Sequence, residues 1–259
     1  MSKVAPIPIE NLSFPAYRLP GVEGAYSPPA AFISLAQWFE AEKFRPFHRE
    51  LFDQVMLAPT IKEARRFAKQ HQAFWRGDWL GVRNRAMACG MVYAARADGH
   101  QERWRGTAEQ IAAELAPLGP LPPRFLLSAA QAFIQLRDAP RIALLGAQAA
   151  PPEIVGKRIN VLHKRHESFW SLAYWQGRHS CWRVHDWAVK AHVPVEYLGS
   201  DGDRLNAKSI EALKTEVSQV VVFEQRKGKA MDNVLRGLRA AKIPVDLDFF
   251  TVDENAKLT

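Results

Sequence analysis

From Arg141 onward, short apolar runs at residues 142–145, 169–175, 193–198, 217–223 and 243–247 alternate with stretches of helical character. Few architectures accept such a rhythm. Consecutive strands separated by helices pair in parallel, because a crossover must return the chain to the same edge before the next strand begins. A mostly parallel sheet flanked by helices is therefore expected over residues 141–250, with residues 251–259 as a tail. The last helix is the clearest: Met231, Val234, Leu235, Leu238 and Ala241 form one apolar stripe, and Lys242-Ile243-Pro244 leads into a strand.

The first half has a different texture. Residues 1–31 carry Pro6, Pro8, Pro15, Pro20, Pro28 and Pro29 without apolar periodicity, which predicts an extended arm. Three helical segments follow. Leu35, Trp38 and Phe39 fall at i, i+3, i+4 and predict a buried stripe, with Ala36, Glu40 and Lys43 on a neighbouring face. Thr60 and Glu63 have capping-box spacing ahead of an inner face of Ile61, Ala64 and Ala68. Asp78 is a natural N-cap for a third helix in which Trp79, Val82, Ala86, Cys89 and Tyr93 recur at helical spacing. The helical domain thus covers residues 32–122, with a boundary in the tract 117–123, or reaches 140 if residues 125–138 belong to it. The fold class is α/β, a mainly helical domain followed by a parallel-sheet domain.

Composition narrows the function. With 47% hydrophobic residues in 259, the chain can bury a sizeable core, and no window has the long apolar run of a membrane span. The N-terminus lacks the basic start and apolar core of a signal peptide, so a cytoplasmic protein without a membrane partner is expected. Cys89 and Cys181 sit in apolar helical patterns in different halves, which favours reduced, packed thiols. The net charge of +8 points to an anionic partner: a nucleotide, a phosphorylated metabolite, or DNA or RNA. Neither a Ser-His-Asp order, nor a Walker-type loop, nor an HExxH motif supports conventional hydrolase or kinase chemistry.

The stretch Ser34-Leu-Ala-Gln-Trp-Phe-Glu-Ala-Glu-Lys-Phe44, a helix containing Ala64, and Arg76-Gly-Asp-Trp79 with Arg83 and Met87 beyond it resemble the NADAR (NAD- and ADP-ribose-associated) family over about residues 14–98. Known members are N-glycosidases acting on ribosyl-linked substrates. The resemblance implies ligand-binding roles for Trp38, Lys43, Arg76, Trp79 and Arg83. It also marks a departure, since Ala36 stands where the family's helix carries its functional glutamate. Breaking an N-glycosidic bond builds positive charge on the ribose and calls for a nearby carboxylate. Glu40, one turn after Ala36, and Asp78 are the candidate catalytic residues that remain. The family's Phe-Ser-Asn-Phe motif is represented only by Phe14-Pro-Ala-Tyr17.

In the second half, Phe169-Trp-Ser-Leu-Ala-Tyr-Trp-Gln-Gly177, the strand at 193–198 and Ser218-Gln-Val-Val-Val-Phe-Glu-Gln-Arg-Lys-Gly228 resemble the SLOG group of Rossmann-like nucleotide binders. That resemblance implies a phosphate site built from Gly177, Arg226, Lys227, Gly228 and Lys229. Residues 156–192 carry a rival reading: seven Lys or Arg face two acids, with five of the eight His and four of the eight Trp. Arg178, Arg183, Lys190 and Trp182 could contact nucleic acid through phosphate attraction and base stacking. His163-x-x-His166 and His179-x-Cys181 with His185 do not make a four-ligand set, so no metal and no cofactor is expected.

Three functions are thus on the table. The first is recognition of a nucleotide-derived ribose-phosphate ligand related to ADP-ribose or NAD, with N-glycosidase activity weak or lost. The second is nucleic-acid binding through residues 156–192. The third is an active N-glycosidase that uses Glu40.

Overall fold

The computed structural model describes residues 13–14, 33–45, 47–97, 104–118, 121–147, 149–175, 182–198, 207–225 and 232–250. The chain divides into two compact units, Met1–Asp138 and Ala139–Thr259. The predicted arm lies almost wholly outside the described residues, apart from a two-residue strand.

In the first unit, β1 (Ser13–Phe14) pairs antiparallel with β2 (Ile33–Ser34). Six helices follow among the described residues: α1 (Leu35–Ala41), α2 (Arg49–Met56), α3 (Ile61–Gln70), α4 (Trp79–Ala97), α5 (Ala108–Leu115) and α6 (Pro123–Arg137). Local chemistry starts them. The Ser34 hydroxyl accepts from the Gln37 N–H at 3.1 Å, and the Thr60 hydroxyl accepts from the Glu63 N–H at 3.2 Å. Thr107 and Gln110 form a complete capping box at α5. The core of α1 to α4 holds Trp38, Phe44, Phe52, Val55, Ala64, Ala68 and Ala94. Gly90 sets how closely α1 approaches α4: a Cβ there would stand 2.7 Å from a Trp38 ring carbon and 2.8 Å from a Leu35 methyl. Because α6 belongs to this unit, the proline tract at 117–123 lies within it.

The second unit is the expected parallel sheet. Its elements are β3 (Arg141–Leu145), α7 (Pro152–Arg165), β4 (Ser171–Trp175), α8 (Trp182–Lys190), β5 (Val195–Leu198), α9 (Ala207–Glu216), β6 (Gln219–Gln225), α10 (Asp232–Ala240) and β7 (Val245–Phe250). The strand order is β5-β4-β3-β6-β7 and every pairing is parallel. Counted within the unit this is 3-2-1-4-5, the doubly wound order whose direction reverses between its first and fourth strands. One sheet face, with Ala143, Leu145, Ala173, Val220 and Val222, packs on Leu213 of α9 and on Val234, Leu235 and Leu238 of α10. On the other face, Arg158 of α7 donates to Asp246 and Asp248 of β7. Helices on both faces explain why the strands read as continuous apolar runs rather than alternating ones.

Four of these strands begin two residues later than the apolar runs suggest. The residues ahead of β5 and β7 end in Pro194 and Pro244, which have no N–H to give but whose carbonyls accept from Leu172 and Val220 at 2.8 and 2.9 Å. Both strands follow a helix that ends in a left-handed residue, His192 at φ 51° and Lys242 at φ 58°. The next N–H bonds back to the helix in each case, Val193 to Ala188 and Ile243 to Leu238. None of the described helices is long and apolar enough to cross a membrane.

Candidate functional site

Three of the residues singled out in the sequence, Glu40, Lys43 and Arg76, are joined at the end of α1. The Glu40 carboxylate accepts a hydrogen bond from the Lys43 ammonium, and Arg65 of α3 lies at 4.0 Å on its other oxygen. Lys43, in the turn after α1, also sits over the Trp75 ring, 4.4 Å from the centroid. That ring is fixed by its Nε1–H, which donates to the Ala68 carbonyl at 2.9 Å. The Arg76 backbone N–H donates to the Lys43 carbonyl at 2.7 Å, which binds the start of α4 to the end of α1.

Arg76 is the most informative of the group. Its Nε and Nη2 donate to the two oxygens of Asp78 at 2.5 and 2.9 Å, a fork that fixes the guanidinium plane. The side chain is 6% exposed, and its Nη1, shielded from solvent, finds no acceptor among the described residues. Hydrogen bonding from Arg76, reinforced by its charge, holds the Asp78 carboxyl below the usual carboxylate range. Asp78, expected as a helix cap, thus uses both carboxylate oxygens on Arg76.

The other expected ligand contacts are placed differently. Trp38 is 2% exposed and meets Phe52 and Tyr93 edge-on, with the Arg45 guanidinium 4.5 Å above its ring. Trp79 is 6% exposed and packs on Phe39 at 5.1 Å; Phe39 continues to Phe125, over which Arg83 lies at 5.2 Å. Both tryptophans are therefore part of the apolar interior. Ala36, placed by periodicity on a face beside the buried stripe, is also buried, at 3%. Gln37, next to it, spends its side-chain amide on the Val55, Met56 and Ala58 carbonyls and so closes the C-terminal end of α2.

Sequence periodicity missed four participants. Trp75 directly precedes the Arg76-Gly-Asp motif, and its pairing with Lys43 is a contact between distant residues. Arg65 belongs to α3, whose outward face gives no sign of it. Glu42 and Arg45 form a buried ion pair whose guanidinium lies over the Trp38 and Phe52 rings; the local sign of it is their i, i+3 spacing.

In the second unit, Gly177, Arg178, Arg226, Lys227, Gly228 and Lys229 lie outside the described residues. Arg183 and Lys190 are exposed on α8, where Trp182 is the first residue. Trp170 is fully buried, donates to His163 Nδ1 at 3.3 Å and stacks on Trp187. Burial, together with Arg165, holds His166 below the ordinary histidine range. Among the described residues no three His, Cys, Asp or Glu are placed to hold a metal.

No family model matches this chain, and no curated protein matches it.

Proposed function

We propose that the protein recognises a nucleotide-derived ribose-phosphate ligand, of the ADP-ribose or NAD type, through the Lys43, Trp75 and Arg76 cluster, and that its N-glycosidase activity is weak or lost. One observation carries this reading: Arg76 is buried, clamped in plane by Asp78, and keeps one guanidinium nitrogen without an acceptor. A guanidinium with an unspent donor suits the oxygens of a phosphate, and Lys43, joined to Arg76 through the backbone, brings a second cationic residue. The Trp75 ring adds an aromatic surface for a base or a sugar.

Weak catalysis follows from the carboxylates. Ala36 has none, and the charge on Glu40 is already compensated by Lys43 with Arg65 nearby. A carboxylate engaged in this way stabilises an oxocarbenium-like centre poorly.

Titration calorimetry with ADP-ribose tests the reading. Saturable binding that Arg76→Gln weakens at least about tenfold is expected, since a charge-assisted bond to phosphate would be lost. Equal binding by both proteins removes Arg76 from the site. Turnover of an N-ribosyl substrate that disappears in Glu40→Gln would instead make Glu40 the working carboxylate. The exposure of Arg183 and Lys190 on one helix favours nucleic-acid binding as the second reading. It requires oligonucleotide affinity that falls steeply with salt and is lost when Arg178 and Arg183 are replaced; salt-insensitive binding excludes it.

A further inference from the structure

At the C-terminal edge of the parallel sheet stands a carboxylate that meets no partner among the described residues. Glu224 lies in β6, two positions beyond Val222, the last β6 residue that pairs with β3. It is 6% exposed, its Oε1 is shielded from solvent and accepts no hydrogen bond, and no ion pair reaches it among the described residues. A buried carboxylate in that condition is costly to keep, which makes an external partner worth seeking.

The location is specific. The strand order reverses between β3 and β6, and ligands of open α/β sheets bind outside the carboxyl ends of the strands at such a reversal. There the chain leaves β3 through Gly146, at φ 75°, against the β6 backbone: a Cβ at Gly146 would stand 2.3 Å from the Phe223 carbonyl oxygen, one residue before Glu224.

The following turn is poorly equipped for an anion. Helix α7 has Pro151 as N-cap and Pro152 as its first residue, neither of which has an N–H to offer, and Glu153 adds negative charge to the first turn. Helix N-termini hold phosphate through backbone N–H groups and a positive field, and both are diminished here. The first turn of α7 thus offers an anion little.

We infer that this crevice binds an organic cation, an ammonium or guanidinium group whose N–H donors are accepted by Glu224. A divalent metal is a poorer fit, because it needs several oxygen ligands and no group of three candidate ligands exists among the described residues. The inference is independent of the proposed function: it concerns the other unit of the chain and a ligand of opposite charge. Its rival is internal neutralisation by Arg226, Lys227 or Lys229, which follow Glu224 in sequence.

Thermal melting of the full chain with argininamide or spermidine, at matched ionic strength, decides the matter. At a net charge of +8, nonspecific attraction of these cations is small. A saturable rise in Tm with one of them, absent in Glu224→Gln, is expected. The variant without ligand is expected to melt above the wild type, because it replaces a shielded carboxylate oxygen that has no partner among the described residues while keeping the shape; Glu224→Met gives the same reading if the amide does not fit. No rise with either cation, or an equal rise in the variants, overturns the inference. So does a fall in the Tm of both unliganded variants, which would show that a cation of the chain itself holds Glu224.

Discussion

The Lys43 carbonyl accepts the Arg76 backbone N–H at 2.7 Å, so two cationic residues 33 positions apart are held at one end of the helical unit. Their side chains then take different partners, Lys43 on Glu40 and Trp75, Arg76 on Asp78.

Trp75 joins these parts, because its ring lies under Lys43 and its N–H reaches Ala68. Trp75→Ala is expected to cost roughly 2 kcal/mol, less than a fully buried tryptophan because the ring is partly exposed, and to abolish ADP-ribose binding. Denaturant melting and calorimetry check the two effects. Trp75→Ala with unchanged affinity would leave the ring a purely structural role.

Ala36→Glu restores the carboxylate that the NADAR resemblance expects. Hydrolysis of an N-ribosyl bond should appear or rise, at a stability cost of about 1–3 kcal/mol for a polar group at a position that is 3% exposed. A folded variant with no gain in turnover counts against the resemblance.

The Arg76–Asp78 pair sets a pH dependence. Asp78 has its folded-state pKa lowered, so its contribution is fully present above the unfolded carboxyl value of about 4 and is lost as pH falls through the lower folded value. Asp138 beside Arg137 has the same sign, so the difference between proteins is the useful quantity. Asp78→Asn should be less stable at pH 7 yet lose less on acidification below pH 4, by a modest amount because the Asp78 side chain is 56% exposed. Parallel acid-unfolding curves would contradict the pairing.

Two left-handed positions in the sheet unit predict opposite outcomes. Gly146→Ala forces a Cβ toward the Phe223 carbonyl oxygen at an unfavourable φ and should cost at least about 2 kcal/mol. Lys242→Gly relieves a strained, exposed residue and should gain up to about 1 kcal/mol. Chemical denaturation measures both.

The parallel sheet was readable because buried strands between helices leave continuous apolar runs, and those runs located all five strands of the sheet. Their starts were not, because Val193-Pro194 and Ile243-Pro244 are as apolar as the strands they precede. Helix α2 carries little signal: Phe52, Val55 and Met56 form its buried stripe, but it is only eight residues long and half of them are polar. Helical spacing brought Glu40 and Lys43 to one face, and the motif joined Arg76 to Asp78. Nothing local distinguishes a tryptophan that lines a site from one that fills a core, so Trp38 and Trp79 could not be sorted from sequence. Trp75 and Glu224 depend on long-range neighbours, which periodicity does not report.

The most direct measurement is the Tm of the wild-type chain and of Arg76→Gln with and without excess ADP-ribose, since a ligand that binds only the folded state must raise the Tm. A clear rise in the wild type that Arg76→Gln removes is the expected result. No rise in the wild type, or the same rise in both, would contradict recognition of a ribose-phosphate ligand through Arg76.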